Sequence, residues 1–254
     1  MKIFTDSAEN HLITLVLENF DFETSWTLEE LQKISPFVKP GNNFVYSEEL
    51  LRLIQHLIDS KLYPNSKSIY NSCVTFLLLY LSVGDVSVLP KRKSIYVRVS
   101  SKMPNGAGLG SSSSYIVSLA QALFTAHNVT IEKKVLNQWC FEMDKLFHGK
   151  PSGIDNSICT FGGAILFGSG QIIENIESED LLDLADTPVI LVNTNVSRNT
   201  KTMVEKCRLR LYTYPKIIDH ILESIANISK TLWQALKLKN LSLLPVSNNN
   251  FLGS

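Results

Sequence analysis

The chain has 254 residues, 44% of them hydrophobic and 19% charged, with 24 basic residues balanced by 24 acidic ones. That composition fits a globular protein of one large domain or two small ones, and it excludes a disordered, collagenous or disulfide-framework chain. Zero net charge implies no broad basic surface and argues against a nucleic-acid partner. The four cysteines, Cys73, Cys140, Cys159 and Cys207, have no zinc-site spacing and read as reduced thiols of an intracellular protein. The first residues lack the apolar core of a signal peptide, so a cytoplasmic location is expected. The longest apolar run, 73–81, is shorter than the roughly 20 residues a membrane span needs. It reads as a buried helix segment.

In chain order, HLITLVLE at 11–18 predicts a strand. Thr27-Leu28-Glu29-Glu30 has the spacing of a capping box and predicts a short helix. Ser47 predicts the start of another, with Glu48 and Glu49 favourably placed in its first turn. Leu50, Leu53, Ile54, Leu57 and Ile58 would form its apolar face. After the break at Pro64-Asn65-Ser66 a greasier helix runs to about residue 81. Ile95, Val97 and Val99 alternate with Tyr96, Arg98 and Ser100, the period of a half-buried strand.

That strand feeds Lys102-Met103-Pro104-Asn105-Gly106-Ala107-Gly108-Leu109-Gly110-Ser111-Ser112-Ser113-Ser114. Tyr115, Leu119, Ala122, Leu123 and Ala126 then follow at helical spacing. The stretch is therefore a strand–loop–helix junction. Its glycines allow tight turning, and the free amides at the helix start favour an anion such as phosphate. A plain glycine turn with serine caps has the same composition. It is neither a dinucleotide fingerprint, since Ser111 stands at the third glycine position, nor a Walker loop, since no lysine follows Gly110.

Asn128-Val129-Thr130 predicts a helix end followed by a cap, and the next helix spans about 131–147. Leu136, Trp139, Cys140, Met143 and Phe147 form its buried stripe. Asp144 lies at the edge of that stripe, where a carboxylate needs compensation. A salt bridge is the ordinary compensation and a metal ion the functional one; spacing alone favours the first. The block 148–156 sets turn formers around His148, Asp155 and Asn156. A strand is predicted over 160–167, with glycines where another backbone approaches. A hairpin turn follows at 168–170, and the acidic stretch 174–186 reads as a solvated connection. Pro188–Asn193 predicts a buried strand, 194–200 a polar turn, and two helices run to about 212 and from 215 to 238. The tail 245–254 has no periodicity.

Pro104 to Ser114 resembles the P-x-G-x-G-L-G-S-S motif of the GHMP small-molecule kinases. His148-Gly149-Lys150-Pro151-Ser152-Gly153-Ile154-Asp155-Asn156 resembles the H-G-x-P-S-G-x-D-N block of that family's mevalonate kinases. The resemblance implies an α+β fold of two domains, 1–185 and 186–254, with the active site in the cleft between them. It implies ATP-dependent phosphorylation of the 5-hydroxyl of mevalonate, an isoprenoid precursor. Gly106, Ala107, Gly108, Leu109, Gly110, Ser111 and Ser112 would wrap the ATP phosphates. Ser112 and Asp144, the latter in place of a family glutamate, would hold Mg2+. Asp155 would be the general base. His148, Ser152 and Thr200, the last within an R-N-T match at 198–200, would face the substrate. A homodimer stays open.

The resemblance covers about 12–238. The family's P-G-K-x-x-x-x-G-E-H motif is not found before residue 100, nor its K-x-T-G-A-G-G-G-G loop near the end. The chain is therefore expected to be either a shortened mevalonate kinase or a non-catalytic relative that binds nucleotide weakly or works through partners. The 148–156 block argues against phosphomevalonate or galactose kinases.

Overall fold

The computed structural model describes residues 1–6, 12–34, 44, 46–61, 66–83, 94–103, 108–149, 151–168, 170–178, 180–181, 192 and 200–240. The chain divides into two compact units. One comprises 1–104 with 110–160, and the other 105–109 with 161–254.

The first unit is built on a four-stranded sheet. Its strands are β1 (Lys2–Asp6), β2 (Leu12–Leu17), β3 (Phe22–Thr27) and β4 (Ser94–Val99). Their order is β1-β4-β2-β3. The β4–β2 pair is parallel, with Leu15 opposite Val97, and the two outer pairings are antiparallel. Parallel neighbours need a long crossover. Here it carries α1 (Leu28–Ile34), α2 (Glu48–Lys61) and α3 (Lys67–Val83). The predicted strands at 11–18 and 94–100 are β2 and β4, and β4 buries Ile95 and Val97 as its alternation requires. Strands β1 and β3 have no counterpart in the sequence reading. In β3 the signal was the alternation of Phe22, Thr24 and Trp26 with polar Glu23, Ser25 and Thr27, weak because Thr24 is itself polar.

The capping box forms as read: Thr27 Oγ1 accepts from the Glu30 amide at 3.2 Å, and Glu30 Oε2 accepts from the Thr27 amide at 2.8 Å. Ser47 Oγ accepts from the Leu50 amide at 3.1 Å and so starts α2. Leu50, Ile54 and Ile58 are its buried stripe. In α3 every residue from 73 to 81 is buried, as a helix enclosed by other elements should be. Trp26 of β3 packs on Phe76 (5.8 Å between centroids), which packs on Tyr80 (5.9 Å).

Helices α4 (Ser111–Ala126), α5 (Lys133–His148) and α6 (Ile154–Phe161) complete the unit. The buried face of α4 contains Leu119 and Leu123 of the expected stripe and extends to Ile116, Val117, Ala120 and Phe124, while Tyr115, Ala122 and Ala126 are half-buried at its edge. Asn128 adopts φ 56° after α4, but the N-cap of α5 is Glu132, not Thr130.

Burial sets thiol chemistry here. It pushes Cys73 up to about 12 and raises Cys140, the latter helped by the negative charge of Asp144. Cys159, half-buried, is raised by burial and then by Asp155 and Asp144. Thiolates are the reactive species. At pH 8, a disulfide reagent should therefore modify exposed Cys207 rapidly and Cys159 slowly, with Cys73 and Cys140 reacting only on unfolding. Four fast thiols in the native protein would contradict this core.

The second unit contains the hairpin β5 (Ala164–Gly168) and β6 (Gln171–Ile176), then α7 (Thr200–Thr213) and α8 (Pro215–Lys237). Residues 160 and 161, expected in a strand, close α6 instead. Gly163, at φ 77°, meets the carbonyl oxygen of Ile176, the close backbone approach expected at these glycines. Glu174 belongs to β6 rather than to a solvated connection. Its Oε2 accepts from Lys237 at 2.9 Å and from the Trp233 indole at 2.7 Å, and these bonds, Lys237 first, hold its pKa below the usual carboxylate value. Pro215 occupies the first turn of α8, where its missing N–H costs nothing. The strand predicted at 188–193 lies outside the described residues except for exposed Val192, and so do the boundary near 185 and the tail 245–254. Among the described residues no helix is long and apolar enough to cross a membrane.

Candidate active site

The site is built where α4, α5 and α6 meet. Gly110, at φ 71°, precedes α4, and its carbonyl accepts from the Ser114 amide at 2.9 Å. Gly108 is also in the left-handed region, at φ 77°. Both conformations suit glycine and strain other residues. The chain thus turns sharply and presents the N-terminus of a 16-residue helix, where unpaired amides and the dipole favour an anion. Ser111 is half-buried, Ser112 exposed and Leu109 exposed. Gly106 and Ala107 lie outside the described residues.

One face of α5 organises its neighbours. Asp144 is only 3% exposed, and its Oδ2 accepts a 2.7 Å hydrogen bond from Ser113 Oγ on α4. The hydroxyl that meets this carboxylate is Ser113, one residue beyond Ser112. Phe141, one turn earlier, lies against Gly153, where an added Cβ would be 3.4 Å from Phe141 Cε2. Asn137, another turn back, reaches the first turn of α6. Positions 137, 141 and 144 have the i, i+4, i+7 spacing of a single helix face.

The sequence reading missed α6, because Gly149, Pro151 and Gly153 made the whole block look like turn. Two signals were present. Ser152 precedes the helix, and its Oγ accepts from the Ile154 amide at 3.3 Å. Asp155 falls in the first turn, where a carboxylate is favoured. Glycines at φ 81° (Gly153) and φ 79° (Gly162) bound the helix. Asp155 is exposed, and its side chain stands beside Gly110: a Cβ on that glycine would lie 3.5 Å from Asp155 Cγ. An exposed carboxylate thus stands at the start of the anion-favouring helix. The side chains of His148 and Thr200 lie outside the described residues.

The donor chemistry suits a hard cation: the buried Asp144 carboxylate and serine hydroxyls are all-oxygen ligands. Among the described residues no cluster of three His, Cys, Asp or Glu side chains could hold a metal alone. Magnesium usually takes one or two carboxylates and completes its shell with water and substrate phosphates, so the set fits that use.

Residues 73–163 match the family model described as the GHMP kinases N terminal domain. This chain is a relative of the GHMP kinases. It is 31% identical to a mevalonate kinase of Mus musculus, over 87% of this chain and 58% of that protein. With a mevalonate kinase of Arabidopsis thaliana it shares 31% identity over 92% of this chain and 64% of the other. This GHMP-kinase relative thus spans about three fifths of the length of the curated proteins it matches. Its fold is theirs. A crystal structure of a mevalonate kinase superimposes with a TM-score of 0.58 over 94% of this chain and 63% of the other, at 18% identity. The Methanococcus jannaschii mevalonate kinase gives 0.57 over 95% and 67%, at 17%.

Proposed function

We propose that this GHMP-kinase relative is a mevalonate kinase that transfers the γ-phosphoryl group of ATP to the 5-hydroxyl of mevalonate. The observation that carries the reading is Asp155, an exposed carboxylate held beside Gly110 at the start of α4. Phosphoryl transfer needs a phosphate cradle, charge neutralisation and a group that orients the acceptor hydroxyl. By the family resemblance Gly106 to Ser112 would supply the cradle, and the free amides at the start of α4 support that reading. Asp144 and Ser112 would hold magnesium, which neutralises phosphate charge when bound. Asp155 takes the proton of the acceptor hydroxyl as its oxygen bonds to the γ-phosphorus, and the bond to the β,γ-bridging oxygen breaks to release ADP. Ser152 accepts from the Ile154 amide at the start of α6, and the family resemblance would give it, His148 and Thr200 substrate-facing roles.

The test is an ADP-release assay on the purified chain with Mg-ATP and mevalonate, phosphomevalonate or galactose in parallel. Turnover with mevalonate alone is expected. Silence with all three, from a chain that still melts cooperatively, would reject the reading in favour of a non-catalytic nucleotide-binding relative.

A further inference from the structure

We infer that Asn137 is a positioning residue for Asp155, an inference that rests on the kinase reading above. Asn137 lies on α5, not in the glycine-rich loop or the 148–156 block. Its side chain nonetheless engages both residues that follow Asp155. Asn156 Nδ2 donates to Asn137 Oδ1 at 2.6 Å and more weakly to the Asn137 carbonyl at 3.4 Å. Asn137 Nδ2 donates to Ser157 Oγ at 3.3 Å. Asn156 is 1% exposed and Ser157 is buried as well, while Asn137 is half-buried, so both bonds are partly shielded from water.

The geometry has a direct consequence. Helix α6 is only eight residues long, too short to hold its own frame without tertiary anchors. Asp155, Asn156 and Ser157 share its first turn, and the last two are pinned by one amide. The direction of Asp155 is therefore set by Asn137 through the backbone. Two turns further along the same face of α5, Asp144 receives the Ser113 hydroxyl from α4. A single rigid helix thus fixes both the start of α4, where phosphate would sit, and the start of α6, where the base stands. Two turns of helix span about 10.5 Å, a separation that ordinary side-chain motion does not alter.

The claim separates from a packing role by its dependence on chemistry. Asn137→Leu keeps the volume and removes both polar contacts. Asn137→Asp keeps the acceptor for Asn156 Nδ2 and can accept from the Ser157 hydroxyl. With Mg-ATP and mevalonate, Asn137→Leu should lose about 10-fold or more in kcat while KM for ATP stays within about 2-fold, because misaimed catalytic groups cost rate before binding. Asn137→Asp should recover most of kcat. Hydrogen exchange should show faster opening of 154–161 in the Leu variant and not in the Asp variant. Unchanged kcat in Asn137→Leu, or equal losses in Leu and Asp, would overturn the inference. If the parent chain has no turnover, the kinase reading fails by itself. Exchange then decides the anchoring, and unaltered protection of 154–161 in Asn137→Leu overturns it.

Discussion

Asp155→Asn is expected to lower kcat for phosphoryl transfer by about 10²- to 10⁴-fold, the range that a positioned general base contributes. The substitution is isosteric but leaves an amide that cannot take the acceptor proton. KM for ATP should change little, since the phosphate cradle at the start of α4 is untouched. Folding should be unaffected: Asp155 is exposed, and exposed substitutions usually shift stability by no more than about 0.5 kcal/mol. Steady-state kinetics with a parallel thermal melt would check both halves. A variant that keeps full kcat would remove Asp155 from the chemistry. One that melts well below the parent would make it a structural residue.

The largest stability effect is expected at Trp26. It is fully buried in β3 and stacks into the Phe76–Tyr80 row of α3. Truncating a buried aromatic leaves a cavity and costs about 3–5 kcal/mol. Against the total of about 5–15 kcal/mol available to a globular protein, Trp26→Ala should leave this unit marginal. Trp26→Phe should cost distinctly less. The indole Nε1 is buried with no hydrogen-bond partner among the described residues, so a phenyl ring loses volume but no such bond. Urea unfolding would read this as a fall in midpoint at constant slope. Equal losses for Ala and Phe would mean that the indole makes a polar contact that a phenyl ring cannot replace.

Both predictions draw on features of different legibility. Sequence by itself determined the elements whose signals are local: the capping box at Thr27–Glu30, the Ser47 start of α2, the enclosed α3 and the alternation in β4. It also determined the kinship, because the glycine-rich loop and the 148–156 block are contiguous runs of residue types that few structures need. Asp144 was legible as a carboxylate at a core edge, but its first observed partner was not. The Ser113 hydrogen bond depends on how α4 is rotated against α5, and the buried face of α4 is wider than the Leu119–Leu123 stripe that periodicity marked. Short elements were lost for a related reason. Strand β3 alternates on only two large apolar residues, Phe22 and Trp26, and helix α6 is a short run bounded by glycines; neighbours hold both: β2 in register along 12–17, and Asn137 with Phe141 along one face of α5. Only the tertiary structure decided that Asp155 stands beside Gly110 and that Asn137 anchors the turn carrying it. Contacts across about 20 and 45 positions of sequence are fixed by packing between elements, which no local spacing encodes.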